Sequence, residues 1–183
     1  AATWERFGWT GVDLFFVLSG FLIGGLLFEE LRDHGRFSFG RFLVRRGFKI
    51  WPSYYVFVAA LFAASFGFEP LYPGESGTVA SKLRDLVPHF LHVQNFHGPV
   101  WLHTWSLAVE EHFYIFFPLG LFLLTSFRRS AGPPPARVVG LGTSIAVVGC
   151  TLLRVRGSHG TPVNLIEALV PTHLRIDGLL LGT

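Results

Sequence analysis

The chain has 183 residues, half of them apolar, 16% aromatic and only 15% charged, a charged share well below the quarter usual in water-soluble domains. With a mean hydropathy of +0.47 it reads as a membrane protein, and its 20 Phe, 5 Trp and 21 Gly exclude a disordered or collagen-like chain. The formal charge of +3 matters less than where the basic residues fall, and nucleic acid is not expected as a partner.

About 20 mainly apolar residues cross a bilayer, which places a first span from about Gly11 to Phe28. Asp13 stands near its outer end, where a helix dipole favours a carboxylate. Gly20 and Gly24 form a G-x-x-x-G spacing that lets another helix approach closely. Ser19 has no base at helical spacing, so its hydroxyl is expected to bond back to a main-chain carbonyl.

Residues 29–49 follow, with Arg32, Arg36, Arg41, Arg45, Arg46 and Lys49, and read as a loop leading into a second span, Ile50 to Phe68. Its cations either snorkel beside lipid phosphates or converge on the phosphates of a soluble anionic donor, for which arginine offers paired hydrogen bonds. Glu69 to Thr104 is rich in Pro and Gly, and its one apolar stretch, Leu86 to Phe96, is too short to cross. A loop with a re-entrant or interfacial piece is expected there. His89 and His92 lie in it without a third ligand in reach of the sequence pattern, so no metal site is expected.

The third span runs from Trp105 to Phe127. The stretch Gly132-Pro133-Pro134-Pro135-Ala136 cannot continue a helix and separates it from a fourth, Val138 to Leu153. That span holds the single cysteine, Cys150, read as a small buried hydrophobe. A fifth candidate, from Val163 to the end, carries Glu167, Arg175 and Asp177, with His173 and Asp177 expected on one helical face at i, i+4. The excess of Lys and Arg in 29–49 and 128–137 puts those segments in the cytoplasm and the first residues outside. The apolar run at the last residues and the lack of an initiator Met suggest a fragment incomplete at both ends, with 1–183 as part of a single membrane domain.

The third span poses a physical problem. Glu110, Glu111 and His112 lie about two turns into it, and a carboxylate at a span's centre costs roughly 2.5–3.5 kcal/mol on insertion scales. The pair must be partnered, protonated or facing water, unless Trp105 to His112 simply sits at the interface. On a helix Glu110 and Tyr114 share a face at i, i+4 and Glu111 and Tyr114 at i, i+3, so a carboxylate and a phenol can point together into a bundle.

Four stretches, taken in order, resemble the acyltransferase 3 family of integral-membrane O-acyltransferases. They are Gly11 to Leu22 (GVDLFFVLSGFL), Phe42 to Tyr55 with Arg45, Arg46, Trp51 and Pro52, His103 to Tyr114 (HTWSLAVEEHFY), and Thr172 to Gly182. The resemblance implies an all-α, polytopic transmembrane helical bundle, of which this chain would supply four or five of roughly ten spans. It also implies transfer of an acyl group, usually acetyl, from acyl-CoA on the cytoplasmic side to a hydroxyl of a cell-surface glycan or another exported acceptor. The partners would be the bilayer, acyl-CoA and a carbohydrate, with no tightly bound cofactor or metal, in the inner (plasma) membrane of a bacterium.

By that resemblance Glu110, Glu111 and Tyr114 belong to the catalytic group, Arg45, Arg46 and Lys49 meet the donor's phosphates, and Asp13, Ser19 and Arg175 line or brace the same cavity. Family members carry an essential His in a span before the Gly-Val-Asp-Leu-Phe-Phe motif. That span is not in this sequence, so the fragment alone is not expected to catalyse transfer. Intramembrane carboxylates, His and Arg also suit a transporter, and Gly-rich helices suit a non-enzymatic scaffold; neither alternative accounts for the order of the motifs.

Overall fold

The computed structural model describes residues 2–66, 79–96, 104–127, 136–158 and 171–183, and no strand occurs among the described residues. The helices are α1 (Ala2–His34), α2 (Phe39–Ala64), α3 (Val79–Phe90), α4 (Trp105–Phe127), α5 (Ala136–Ser158), α6 (Thr172–Arg175) and α7 (Asp177–Leu181), with a 3-10 turn at Gln94–Phe96 between α3 and α4. Segments Thr10–His34, Phe39–Ala64, Trp105–Phe127 and Ala136–Arg156 are long and apolar enough to cross a membrane. The chain is therefore an all-α, multi-pass membrane bundle.

Two expectations change. The basic segment is not a loop, because α2 begins at Phe39 and carries Arg41, Arg45, Arg46 and Lys49 on its first three turns. Arg and Lys are good helix formers, and their long stems let them extend a span's helix beyond its apolar part. The second correction concerns the end of the chain. Residues 159–170, with the start of the expected fifth span and Glu167, lie outside the described residues. Beyond them α6 and α7 are two short helices meeting at Ile176. His173 and Asp177 thus do not share one helical face: the His173 ring stacks on Phe96, centroids 6.0 Å apart, while Asp177 accepts a bond of 2.8 Å from Arg154 Nη2 on α5. The same Arg154 nitrogen donates to the Leu174 carbonyl.

The other elements follow the sequence closely. α1 stops before Gly35, whose φ of 68° is open to glycine at little cost and whose N–H closes on the Leu31 carbonyl at 2.8 Å. The apolar stretch before α4 does not span but forms the end of α3 and the 3-10 turn. α4 coincides with the expected third span. Pro52 lies inside α2 and Pro118 inside α4.

Phe16, Ile23, Leu27 and Leu31 recur along one face of α1 and are buried in a core shared with Trp105, Val109, Phe113, Tyr114 and Leu121 of α4. The opposite face of α1, Leu14, Leu18, Phe21 and Leu22, is exposed, as suits a surface that meets lipid tails. Gly20 falls on the buried face, where it admits α7 to backbone contact. A Cβ there would lie 1.9 Å from the Leu179 carbonyl oxygen, and one on Gly182 would lie 2.1 Å from that of Val17. The G-x-x-x-G spacing thus serves close helix approach, with α7 as the partner. Cys150 is buried.

Candidate active site

The core of α4 carries the charge that the membrane should reject. Glu110 and Glu111 are both buried, Glu110 at 3% exposure. Since Tyr114 follows Glu110 by one turn, its hydroxyl donates to Glu110 Oε1 at 2.9 Å, realising the expected i, i+4 pair. Two other helices reach the same phenol. Arg46 Nη2 of α2 donates to it at 2.7 Å with the guanidinium 4.3 Å from the ring centroid, and Ser19 Oγ of α1 lies 2.6 Å away.

The proton inventory fixes the direction of these bonds. A phenol has one proton and two lone pairs. With Glu110 as the carboxylate, the proton goes to Glu110 and one lone pair receives Arg46, so Ser19 donates to the other. The result is a directed chain, Ser19 to Tyr114 to Glu110, with a cation beside the phenol. Ser19 therefore bonds a side chain of another helix and not, as expected from its sequence, a carbonyl of its own. A tightly packed polar partner 95 residues away displaces the local option.

Glu111 points elsewhere. Its Oε2 accepts from the indole Nε1 of Trp51 at 3.1 Å. Asp13 pairs with Arg175 Nη2 at 2.5 Å, and the Arg175 guanidinium stands 5.8 Å from the Trp105 ring centroid. Asp13 is not at a helix N-terminus, because α1 starts at Ala2; its partner is a side chain rather than a helix dipole. Arg45 and Lys49 are exposed. With Arg46, Arg41, Glu30 and Ile23 they line a cavity of about 200 Å³, next to a larger groove of about 990 Å³ lined by Arg36, Arg41, Arg45, Phe39 and Phe122 among others. Of the expected site residues, the fold gathers Ser19, Arg46, Glu110 and Tyr114 in one cluster. It ties Glu111 to Trp51, pairs Asp13 with Arg175, and leaves Arg45 and Lys49 on the basic cavity.

Sequence reasoning gave no role to Trp51, Thr172, Asn95 or Gln94. Thr172 Oγ1 lies 2.6 Å from His112 Nδ1 and accepts from Asn95 Nδ2 at 2.7 Å. Gln94 Nε2 donates to the Tyr54 hydroxyl at 3.2 Å and to the Thr104 carbonyl at 3.0 Å. The available signal was weak: polar residues in an interfacial segment need partners once buried, but the spacing does not name them. Among the described residues no group of three His, Cys, Asp or Glu side chains could hold a metal ion.

His92 lies in this polar layer, outside the spans, with φ of 54° and its ring 4.7 Å from that of Tyr54. Burial, aided by the nearby His112, lowers its pKa from 6.5 to about 4. Between those values the unfolded chain holds more protons than the folded one, so stability falls as pH drops through that window. Hydrogen exchange of residues 79–96 is expected to speed up as pH drops from 6.5 to 4, after correction for intrinsic rates. His92→Asn, which tolerates the left-handed backbone and does not titrate, should remove that acceleration; an unchanged pH profile in this variant would exclude His92 as its source.

Residues 2–154 match the family described as an acyltransferase domain. The peptidoglycan O-acetyltransferase OatA of Listeria monocytogenes is 29% identical over 176 residues, covering 88% of this chain and 27% of that protein. A Staphylococcus aureus (strain COL) protein named "Putative O-acetyltransferase" is 30% identical over 196 residues, covering 98% of this chain and 30% of its own length. A Bacillus subtilis protein named "Putative peptidoglycan O-acetyltransferase" is 32% identical over 140 residues, 70% of this chain and 22% of the relative. The chain thus spans under a third of the length of these relatives. No solved structure matches it.

Proposed function

This chain belongs to the acyltransferase 3 family, and on that premise we propose that it supplies the donor-binding and acid/base part of a membrane O-acyltransferase acting on a cell-surface glycan. The donor is acyl-CoA, most simply acetyl-CoA, and the acceptor a carbohydrate hydroxyl. The names of the relatives, which specify O-acetyl transfer and in two cases peptidoglycan, support this reading.

In the net reaction the thioester C–S bond breaks, a C–O bond forms to the acceptor, and the hydroxyl proton ends on the thiol of CoA. Such a transfer needs a group to take the proton and donors to hold the negative charge that develops on the carbonyl oxygen. The observation that carries the proposal is the buried Ser19–Tyr114–Glu110 chain with Arg46 beside it. It places carboxylate, phenol and guanidinium together in a low-dielectric interior, where each counts for more than in water. Arg46 also borders the cavity lined by Arg41, Arg45 and Lys49, which suits the donor's phosphates. The positive-inside rule puts this basic end in the cytoplasm, the side on which the donor is expected, and the bacterial relatives support a bacterial plasma membrane as the setting.

The test is acetyl transfer by membranes from cells expressing the complete gene, supplied with acetyl-labelled CoA and peptidoglycan fragments. Label should reach the glycan as an ester released by mild base, and only when both substrates are present. No label above membranes lacking the protein would overturn the proposal, and solute flux through liposomes without any acyl donor would favour the transporter alternative.

A further inference from the structure

The two neighbouring carboxylates of α4 are held differently. Glu110 is tied to Tyr114 and through it to Arg46 and Ser19. Glu111 is fixed at Oε2 by the Trp51 indole, whereas its Oε1 is buried and meets no hydrogen-bond donor among the described residues. The residue is 7% exposed, so that oxygen is desolvated with no hydrogen bond from the described residues in return, a costly state for a carboxylate.

The indole's seat is built one turn earlier. Position 47 is glycine, and a Cβ there would lie 2.9 Å from Trp51 Cε3 and 3.0 Å from Cζ3. The missing side chain lets the ring lie flat along α2 while its N–H reaches α4.

We infer that Trp51, seated on Gly47, is a positioning residue that grips Glu111 by one oxygen and leaves the other to accept the hydrogen bond of the acceptor hydroxyl. This rests on the acyl-transfer reading above. Glu110, engaged by the phenol, then serves the electrostatic cluster, and Glu111 is the carboxylate that meets the substrate.

Trp51→Phe keeps the ring and removes only the donor. In the complete protein it should lower kcat about tenfold to a hundredfold, the range for a hydrogen bond to a charged group, and leave the donor KM within about twofold. Adding Glu111→Gln should make Trp51→Phe silent, since both act through one carboxylate. Gly47→Ala should lose activity in the same direction while the folded yield holds, because alanine favours helix over glycine.

A readout that needs no turnover separates this inference from the function it rests on. Among the five tryptophans, the indole N–H resonance lost in Trp51→Phe should be the one that shifts in Glu111→Gln. A resonance that ignores Glu111→Gln, or a Trp51→Phe enzyme with wild-type kcat, would overturn the inference. Absence of acetyl transfer in the wild type would instead overturn the acyl-transfer reading, while the indole resonance would still report the grip.

Discussion

Glu110→Gln in the complete protein is expected to reduce acetyl transfer by about a hundredfold to a thousandfold, the range for losing one electrostatic group of an active site, with little change in the amount of folded protein. The side chain keeps its size, and its amide oxygen can still accept from Tyr114 at the position where the carboxylate now accepts at 2.9 Å. Only the charge is removed. Arg46, which donates to the same phenol, then faces a neutral partner chain, and the cluster loses its balance of one cation and one anion. Tyr114→Phe should be of comparable severity, because it deprives both Arg46 and Ser19 of an acceptor. Combined with Glu110→Gln it should add less than its single effect, as members of one network do. The check is the labelled-acetyl assay on equal amounts of protein that elutes as a single species in detergent. A Glu110→Gln enzyme with a third or more of the wild-type rate, about 0.6 kcal/mol in the barrier, would remove Glu110 from the chemistry.

The second large effect concerns folding. Gly20→Val should destabilise the bundle by about 3 kcal/mol or more, at or above the upper end of ordinary overpacking. The obstacle is the Leu179 backbone, 1.9 Å from where the first added carbon would sit. A side chain can swing aside, but a carbonyl held in a helix cannot. α7 would be displaced from α1, and with it the nearby Arg175 that grips Asp13. At about 2–4 °C per kcal/mol for a domain of this size, thermal unfolding in detergent should fall by roughly 6–12 °C. Gly25→Val is the control: Gly25 is exposed and a Cβ there meets nothing within 4 Å, so its midpoint should hardly move. Equal shifts in the two variants would mean that glycine on α1 matters for helix flexibility rather than for the contact with α7.

What the sequence disclosed and what it hid divide along the range of the interactions. α4 matches its expected span because a Pro- and Gly-rich segment precedes it and basic residues follow. The Glu110–Tyr114 bond lies one helical turn apart and follows from helix geometry alone. The resemblance placed Ser19 and Arg175 around one cavity and Arg46 at the donor's phosphates, but their partners lie 95, 162 and 68 residues away, and the relative register of helices has no local signature. The start of α2 is not legible because hydropathy marks only the apolar part of a span, whereas Arg41, Arg45 and Arg46 extend the helix beyond it. Trp51 was visible as part of a motif, but only the opposition of α2 and α4 shows that its N–H serves Glu111.

The two internal prolines carry a mechanical consequence. Pro118 brings no N–H to α4, so the carbonyl one turn before it, that of Tyr114, has no helical donor. Pro52 does the same to Phe48 in α2, immediately after the tryptophan that holds Glu111. Each of the two helices that carry the acidic and basic halves of the cluster therefore lacks a rung close to it. Bending is softest where the ladder is interrupted, and both interruptions flank the bonds by which Arg46 and Trp51 of α2 reach Tyr114 and Glu111 of α4.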